Sequence, residues 1–162
     1  MPRARAHASS RRFRLAIRII LVDDHAVLRE GAAELLRTQR DMDVVGTFPT
    51  GLSAVEFAAR EPVDVAIVDL SMPDLPGIEV VSRLRQSSPG TEVVVLSLHT
   101  HPEHVYRALN AGARGYVAKG ALGCSLFDAV RTVHARKTYL SDRIDREGVE
   151  RCFLRHRESE AL

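Results

Sequence analysis

The chain has 162 residues, 45% apolar and 27% charged, enough for one ordinary domain with a modest extension and typical of a soluble globular protein. Its longest apolar runs, such as Ile19 to Val22 and Val93 to Leu96, are far too short to cross a bilayer, which excludes a membrane protein. The net charge of +2 hides an asymmetry: residues 1–16 carry five arginines and no acid, leaving 18 basic against 21 acidic residues in a mildly acidic remainder that argues against a nucleic-acid surface on the domain itself.

The tail comes first in the chain. Arg3, Arg5, Arg11, Arg12 and Arg14 allow it to be read as a targeting peptide or a polyanion tether, but such a segment buries too little to fold. It is expected to be a disordered extension, and the missing apolar h-region speaks against a signal peptide. From Ile17 short β-branched runs alternate with helical patterns. Predicted strands are Ile17–Val22, Asp43–Thr47, Val63–Val68, Glu92–Ser97 and Gly115–Ala118, mostly continuous apolar stretches of the kind covered on both faces. In the first predicted helix Leu28, Ala32, Leu35 and Leu36 share one face; further helices are expected at 51–60, 77–86, 102–111 and 123–136. In the last of these Leu122, Leu126, Val130 and Val133 form the buried stripe. Cys124, just before it, is expected to pack as a small residue. With Cys152 far away and no C-x-x-C spacing, reduced thiols are expected rather than a bridge or zinc site. Five strands alternating with five helices imply parallel βαβ units in an α/β three-layer sandwich.

In such sheets ligands bind beyond the carboxyl ends of the strands. Asp23 and Asp24 follow the first strand, Asp69 the third, Ser97 the fourth and Lys119 the fifth. Taken singly, Asp24 or His25 reads as a helix cap, Ser97 as a turn residue and Lys119 as a surface lysine. Taken together, three acids at one sheet edge repel one another and are tolerated only beside a cation. Oxygen ligands with room for water suit Mg²⁺, and the lack of Cys or further His at these ends argues against zinc. A carboxylate can attack phosphorus to give an aspartyl phosphate, a reaction that needs positioning and charge neutralisation above all. Lys119 and the Ser97 hydroxyl would then hold phosphoryl oxygens.

These residues, in this order, resemble the receiver domains of two-component response regulators over about Ile17 to Arg136. Asp69 opens DLSMPDLPG (69–77), similar to that family's D-x-x-M-P-x-x-x-G. The resemblance implies a flavodoxin-like (CheY-like) fold with a five-stranded parallel sheet in the order 2-1-3-4-5. It implies that Asp69 is the phosphoacceptor, that Asp24 binds Mg²⁺ directly and Asp23 through water, and that the Ser71 backbone carbonyl completes the metal site. Ser97 matches the switch hydroxyl, Tyr116 the switch aromatic and Lys119 the family's lysine. LVDDHAVLREG (21–31), LSLHT (96–100) and AGARGYVAKG (111–120) resemble the NarL/FixJ subfamily, whose usual output is a LuxR-type helix-turn-helix domain. Lys119-Gly120, where other subfamilies often carry Lys-Pro, fits that subfamily. LRHRESEAL (154–162) is similar to the opening of that output domain, with Arg155 where a capping Thr is usual; the alternative is a charged linker helix. The expected organisation is therefore a basic tail (1–16), a receiver (17–136), a linker (137–153) and a truncated start of a helix-turn-helix domain (154–162).

The resemblance implies a cytoplasmic signalling protein that catalyses only its own phosphoryl transfer and dephosphorylation. Its phosphodonor would be a sensor histidine kinase and its phosphorylated form a homodimer, with DNA reached only through an output domain incomplete in this chain. A stand-alone receiver working through protein contacts is the main alternative. A haloacid dehalogenase-like phosphatase is disfavoured because its nucleophile sits on the first strand, and a flavodoxin-like cofactor site because acids follow that strand. His99, His101 and His104 form an H-x-H-x-x-H pattern, but a strand end is a poor place for all three to converge on a metal.

Overall fold

The computed structural model describes residues 15–121 and 123–162. The basic tail up to residue 14 and Leu122 of the predicted stripe lie outside the described residues. Six parallel strands, β1 (Ile17–Val22), β2 (Met42–Phe48), β3 (Val65–Asp69), β4 (Glu92–Ser97), β5 (Gly115–Ala118) and β6 (Tyr139–Leu140), form one sheet in the order β2-β1-β3-β4-β5-β6. Helices α1 (Ala26–Arg37), α2 (Gly51–Arg60), α3 (Gly77–Ser87), α4 (Pro102–Ala111) and α5 (Cys124–His134) connect them, and α6 (Arg146–Glu160) follows β6.

Successive side chains of a strand point to opposite faces, and the core divides accordingly. Ile20, Val22, Ala66, Val68, Val93 and Val95 face α2, α3 and α4. Ile19, Leu21, Val65, Ile67, Val94 and Leu96 face α1 and α5. Both faces are covered, which is why β3 and β4 read as unbroken apolar runs.

The predicted five-strand, five-helix sandwich is present, with one strand and one helix added. The sixth strand is two residues long and gives no periodic signal. It is held by Ser141, whose amide donates to the Tyr116 carbonyl at 3.0 Å and whose Oγ accepts from the Ala118 amide at 2.9 Å. The segment expected to be a linker, 137–153, thus contains β6 and the first half of α6. That helix is capped by Asp145, which accepts from the Gly148 amide, and it continues without a break to Glu160. The boundary expected at Leu154 falls inside it.

Two packing expectations need correction. On α1 the buried positions are Ala32, Ala33 and Leu36, while Leu28 and Leu35 are 42% and 38% exposed. Small alanines let the helix lie close to the sheet, and Leu28 is left at the rim of a 330 Å³ cavity with Leu98 and Arg29. Cys124, expected to pack, is exposed at the first position of α5, whereas Cys152 is buried. α4 ends at Gly112, whose φ of 117° is the left-handed conformation that stops a helix without a Cβ penalty. Among the described residues no helix is long and apolar enough to cross a membrane.

Candidate functional site

The chain runs outward from β1 to β2 and then returns to place β3 on the other side of β1, so the strand order reverses between β1 and β3. A crevice opens there, beyond the strands' carboxyl ends. Asp23 and Asp24 leave β1 into it, and Asp69 is the last residue of β3. One ligand atom from each of Asp23, Asp24, His25 and Asp69 lies within 4.8 Å of the others. Among the described residues this is the only such group of three or more.

The two oxygens of Asp69 differ. Oδ1 accepts from the Ser71 amide at 3.1 Å and lies 3.1 Å from the Lys119 Nζ. Oδ2 is buried and has no hydrogen-bond partner. Asp24 Oδ1 is also buried without a hydrogen bond; the His25 Nδ1 is 3.2 Å away but off the line for one. Asp23 is nearly enclosed. Burial pushes its carboxyl up from the ordinary range and the charge of Asp69 adds to this, while the His25 amide, donating at 2.9 Å, and Lys119 oppose it. Two orphaned carboxylate oxygens beside a strained acid are what a site for a hard divalent cation requires, so the donor set fits Mg²⁺.

The loop after β3 is held from both sides. Asp74 accepts from the Gly51 amide at 3.0 Å, at the start of α2. At Gly77 an added Cβ would run into the Leu70 Cα, so only glycine lets α3 begin this close to the strand end. On the other side, Arg29 of α1 donates to the Asp23 carbonyl at 2.6 Å. Arg29 falls within the LVDDHAVLREG stretch (21–31) but is not singled out there as a site residue; an arginine one turn into the helix after an acidic pair is a usable signal for it.

Ser97, the last residue of β4, is fully buried, and its Oγ accepts from the His99 amide at 3.0 Å. Tyr116 on β5 is also fully buried, with its hydroxyl donating to the His99 carbonyl at 2.6 Å. Burial pushes the phenol up, partly offset by the nearby Ser97 side chain. The His99 backbone is thus gripped at both ends by the two residues matched to the switch pair. The three histidines do gather: His99 stacks on His104 at 4.6 Å, and His101 meets His104 edge-on at 6.4 Å. They meet as rings, not as ligands to one ion.

This arrangement of acids, lysine and hydroxyl agrees with an independent comparison: the model of the response regulator receiver domain matches residues 19–131. The chain belongs to the response regulator receiver family. The receiver is 36% identical over 129 residues to the oxygen regulatory protein NreC of Staphylococcus carnosus, covering 79% of this chain and 59% of NreC. It is 41% identical over 125 residues to the transcriptional regulatory protein UhpA of Salmonella typhimurium, covering 77% of this chain and 62% of UhpA. The chain therefore spans only about three-fifths of the length of these relatives. A LuxR-family two-component response regulator from Aurantimonas sp. SI85-9A1 superposes with a TM-score of 0.78 at 27% identity, over 86% of this chain and 99% of that one. The subfamily suggested by the sequence motifs is the one these relatives represent.

Proposed function

We propose that this receiver takes a phosphoryl group onto Asp69 from a phosphohistidine of a sensor kinase, and that the modification switches the surface around β4, α4 and β5. The observation that carries the reading is the asymmetry of Asp69: Oδ1 is held by Lys119 and Ser71, while Oδ2 is buried without a hydrogen-bond partner. Oδ2 attacks phosphorus, the new P–O bond forms as the P–N bond breaks, and the imidazole leaves with a proton from solvent. Asp24, Asp69 and the Ser71 carbonyl would hold a Mg²⁺, with Asp23 acting through water; the ion supplies charge neutralisation for the phosphoryl oxygens. Lys119 takes one of those oxygens and the Ser97 hydroxyl donates to another. That hydroxyl already accepts from the His99 amide, so engaging it pulls on the loop that Tyr116 grips.

The relatives' names attach this receiver to transcriptional control. In this reading the chain is the cytoplasmic receiver part of a regulator whose output is a LuxR-type helix-turn-helix domain, with residues 154–162 leading into it. Phosphorylation promotes homodimerisation. Hydrolysis of the aspartyl phosphate, tuned by Ser71, resets the switch.

The test is intact-mass spectrometry after incubation with acetyl phosphate, with and without Mg²⁺, on the wild type and Asp69→Asn. A gain of one phosphoryl group that requires both Mg²⁺ and Asp69 is expected. No gain, together with failure to bind a beryllium fluoride mimic, would make this a degenerate receiver that works by constitutive contacts.

A further inference from the structure

We propose that α6 is the element that reads the state of the pocket, through a clasp centred on Glu103 of α4, and that loading the pocket tightens this clasp. The inference rests on the phosphoacceptor reading above and names what that switch moves. Glu103 is the second residue of α4 and reaches across to three side chains of α6. Its Oε2 accepts from the Cys152 Sγ at 3.2 Å and from the Arg155 guanidinium at 3.4 Å, and its Oε1 lies 3.0 Å from the His156 Nε2. One turn further along α4, Tyr106 stacks flat on His156 at 4.3 Å and meets Phe153 edge-on at 4.7 Å. The pairing is specific: one carboxylate and one aromatic ring of α4 receive four α6 side chains.

Glu103 is tied to the pocket by a short covalent path. Ser97 and Tyr116 hold the amide and the carbonyl of His99, and His101, two residues on, caps α4 by accepting from the Glu103 amide at 3.2 Å. A shift of the 98–101 segment therefore moves the first turn of α4 and the Glu103 carboxylate with it. The root of α6, by contrast, is fixed to the sheet. Ser141 bonds β5 on both sides of Val117, and Ile144 is buried. A helix anchored at its root and latched along its side by a residue in the first turn of α4 is a lever. The clasp is closed in this structure with Tyr116 fully buried and its hydroxyl on the His99 carbonyl.

The experiment is hydrogen–deuterium exchange on the full chain, with and without beryllium fluoride and Mg²⁺. Wild type, Glu103→Gln and Glu147→Gln are compared, and pocket loading is followed separately by the ¹⁹F resonance of bound fluoride. Loading is expected to slow exchange of the α6 amides by roughly threefold, the scale of a surface charge contact. Glu103→Gln should abolish that slowing while keeping the bound-fluoride signal. Glu147→Gln, an exposed acid of α6 with no part in the clasp, should behave as wild type. A bound-fluoride signal with α6 exchange unchanged or faster would overturn the clasp and leave the phosphoacceptor reading intact. A missing fluoride signal, with no phosphoryl uptake from acetyl phosphate, would overturn that reading and the clasp with it.

Discussion

Asp23 and Lys119 act on the same acidic pocket in opposite senses, and each makes a separate prediction. Asp23 is destabilising in the folded protein because burial and the Asp69 charge hold its carboxyl above the ordinary value of 3.8. Between 3.8 and that raised value the folded state binds more protons than the unfolded one. Stability from this group therefore falls as pH rises through the window, and the full penalty is present at neutral pH. Asp23→Asn should raise Tm at pH 7 without Mg²⁺; a gain of roughly 1 kcal/mol corresponds to about 2–4 °C for a chain of this size. Mg²⁺ should raise the wild-type Tm by more than it raises the variant's, as differential scanning fluorimetry can show. A lower Tm for the variant would mean that Asp23 is held by its hydrogen bonds more strongly than it is strained. Lys119 sits 3.1 Å from Asp69, and its ammonium is the only positive side chain at that oxygen among the described residues. Lys119→Ala should still be phosphorylated, because the acids remain, but it should lose the means to pull the switch. Light scattering after acetyl phosphate treatment should find the variant at its monomer mass while the wild type shifts upward. Wild-type-like association of the phosphorylated variant would remove Lys119 from the switching step.

At the scale of elements, one side chain reinforces the backbone hydrogen bonds that add β6 to the sheet. The Ser141 hydroxyl is buried, accepts from the Ala118 amide at 2.9 Å and donates to the Tyr116 carbonyl at 3.3 Å. Ser141→Ala leaves the Ala118 amide without a partner in a buried place, and it should cost about 1–3 kcal/mol in urea denaturation. Ser141→Thr keeps the hydroxyl and should recover most of that. A cost below about 0.5 kcal/mol would show that water reaches Ala118 once the hydroxyl is gone. The same element shows where reading the sequence reaches its limit. β1, β3, β4 and β5 were legible because burial on both faces writes an apolar run into the chain. The site was legible because its acids, hydroxyl and lysine must each follow a strand. β6 has two residues and no pattern, and the apolar side chains of α6 that meet the fold are Val149, Cys152 and Phe153 amid charged neighbours. Its partner α4 lies some 40 residues earlier, and neither sequence says that the two will meet. The Leu28 and Leu35 error has another cause: helical spacing identifies a face, but small Ala32 and Ala33 decide how that face rolls against the sheet.

Across the whole molecule, burial is uneven in a way that matches the proposed division of labour. All five residues of β3 and all six of β4 are buried, whereas α6 buries Gly148, Val149 and Cys152 among its fifteen. The strands hold the acids in place; α6 is rooted at the sheet through Ser141 and Ile144 and otherwise lies along α4. A local element with few buried contacts opens without the rest of the protein. Native-state hydrogen exchange should therefore find the amides of β1, β3 and β4 exchanging only through global unfolding, with a urea dependence equal to that of the whole chain. The α6 amides should exchange at least about tenfold faster, with little urea dependence, because their opening exposes little new surface. The 98–101 segment should fall between them, since both ends of the His99 backbone are tied to the sheet while its neighbours are exposed. If α6 instead exchanged with the sheet in one cooperative unit, it would be part of the core rather than a movable arm. A shift at His99 would then have no independent element to move.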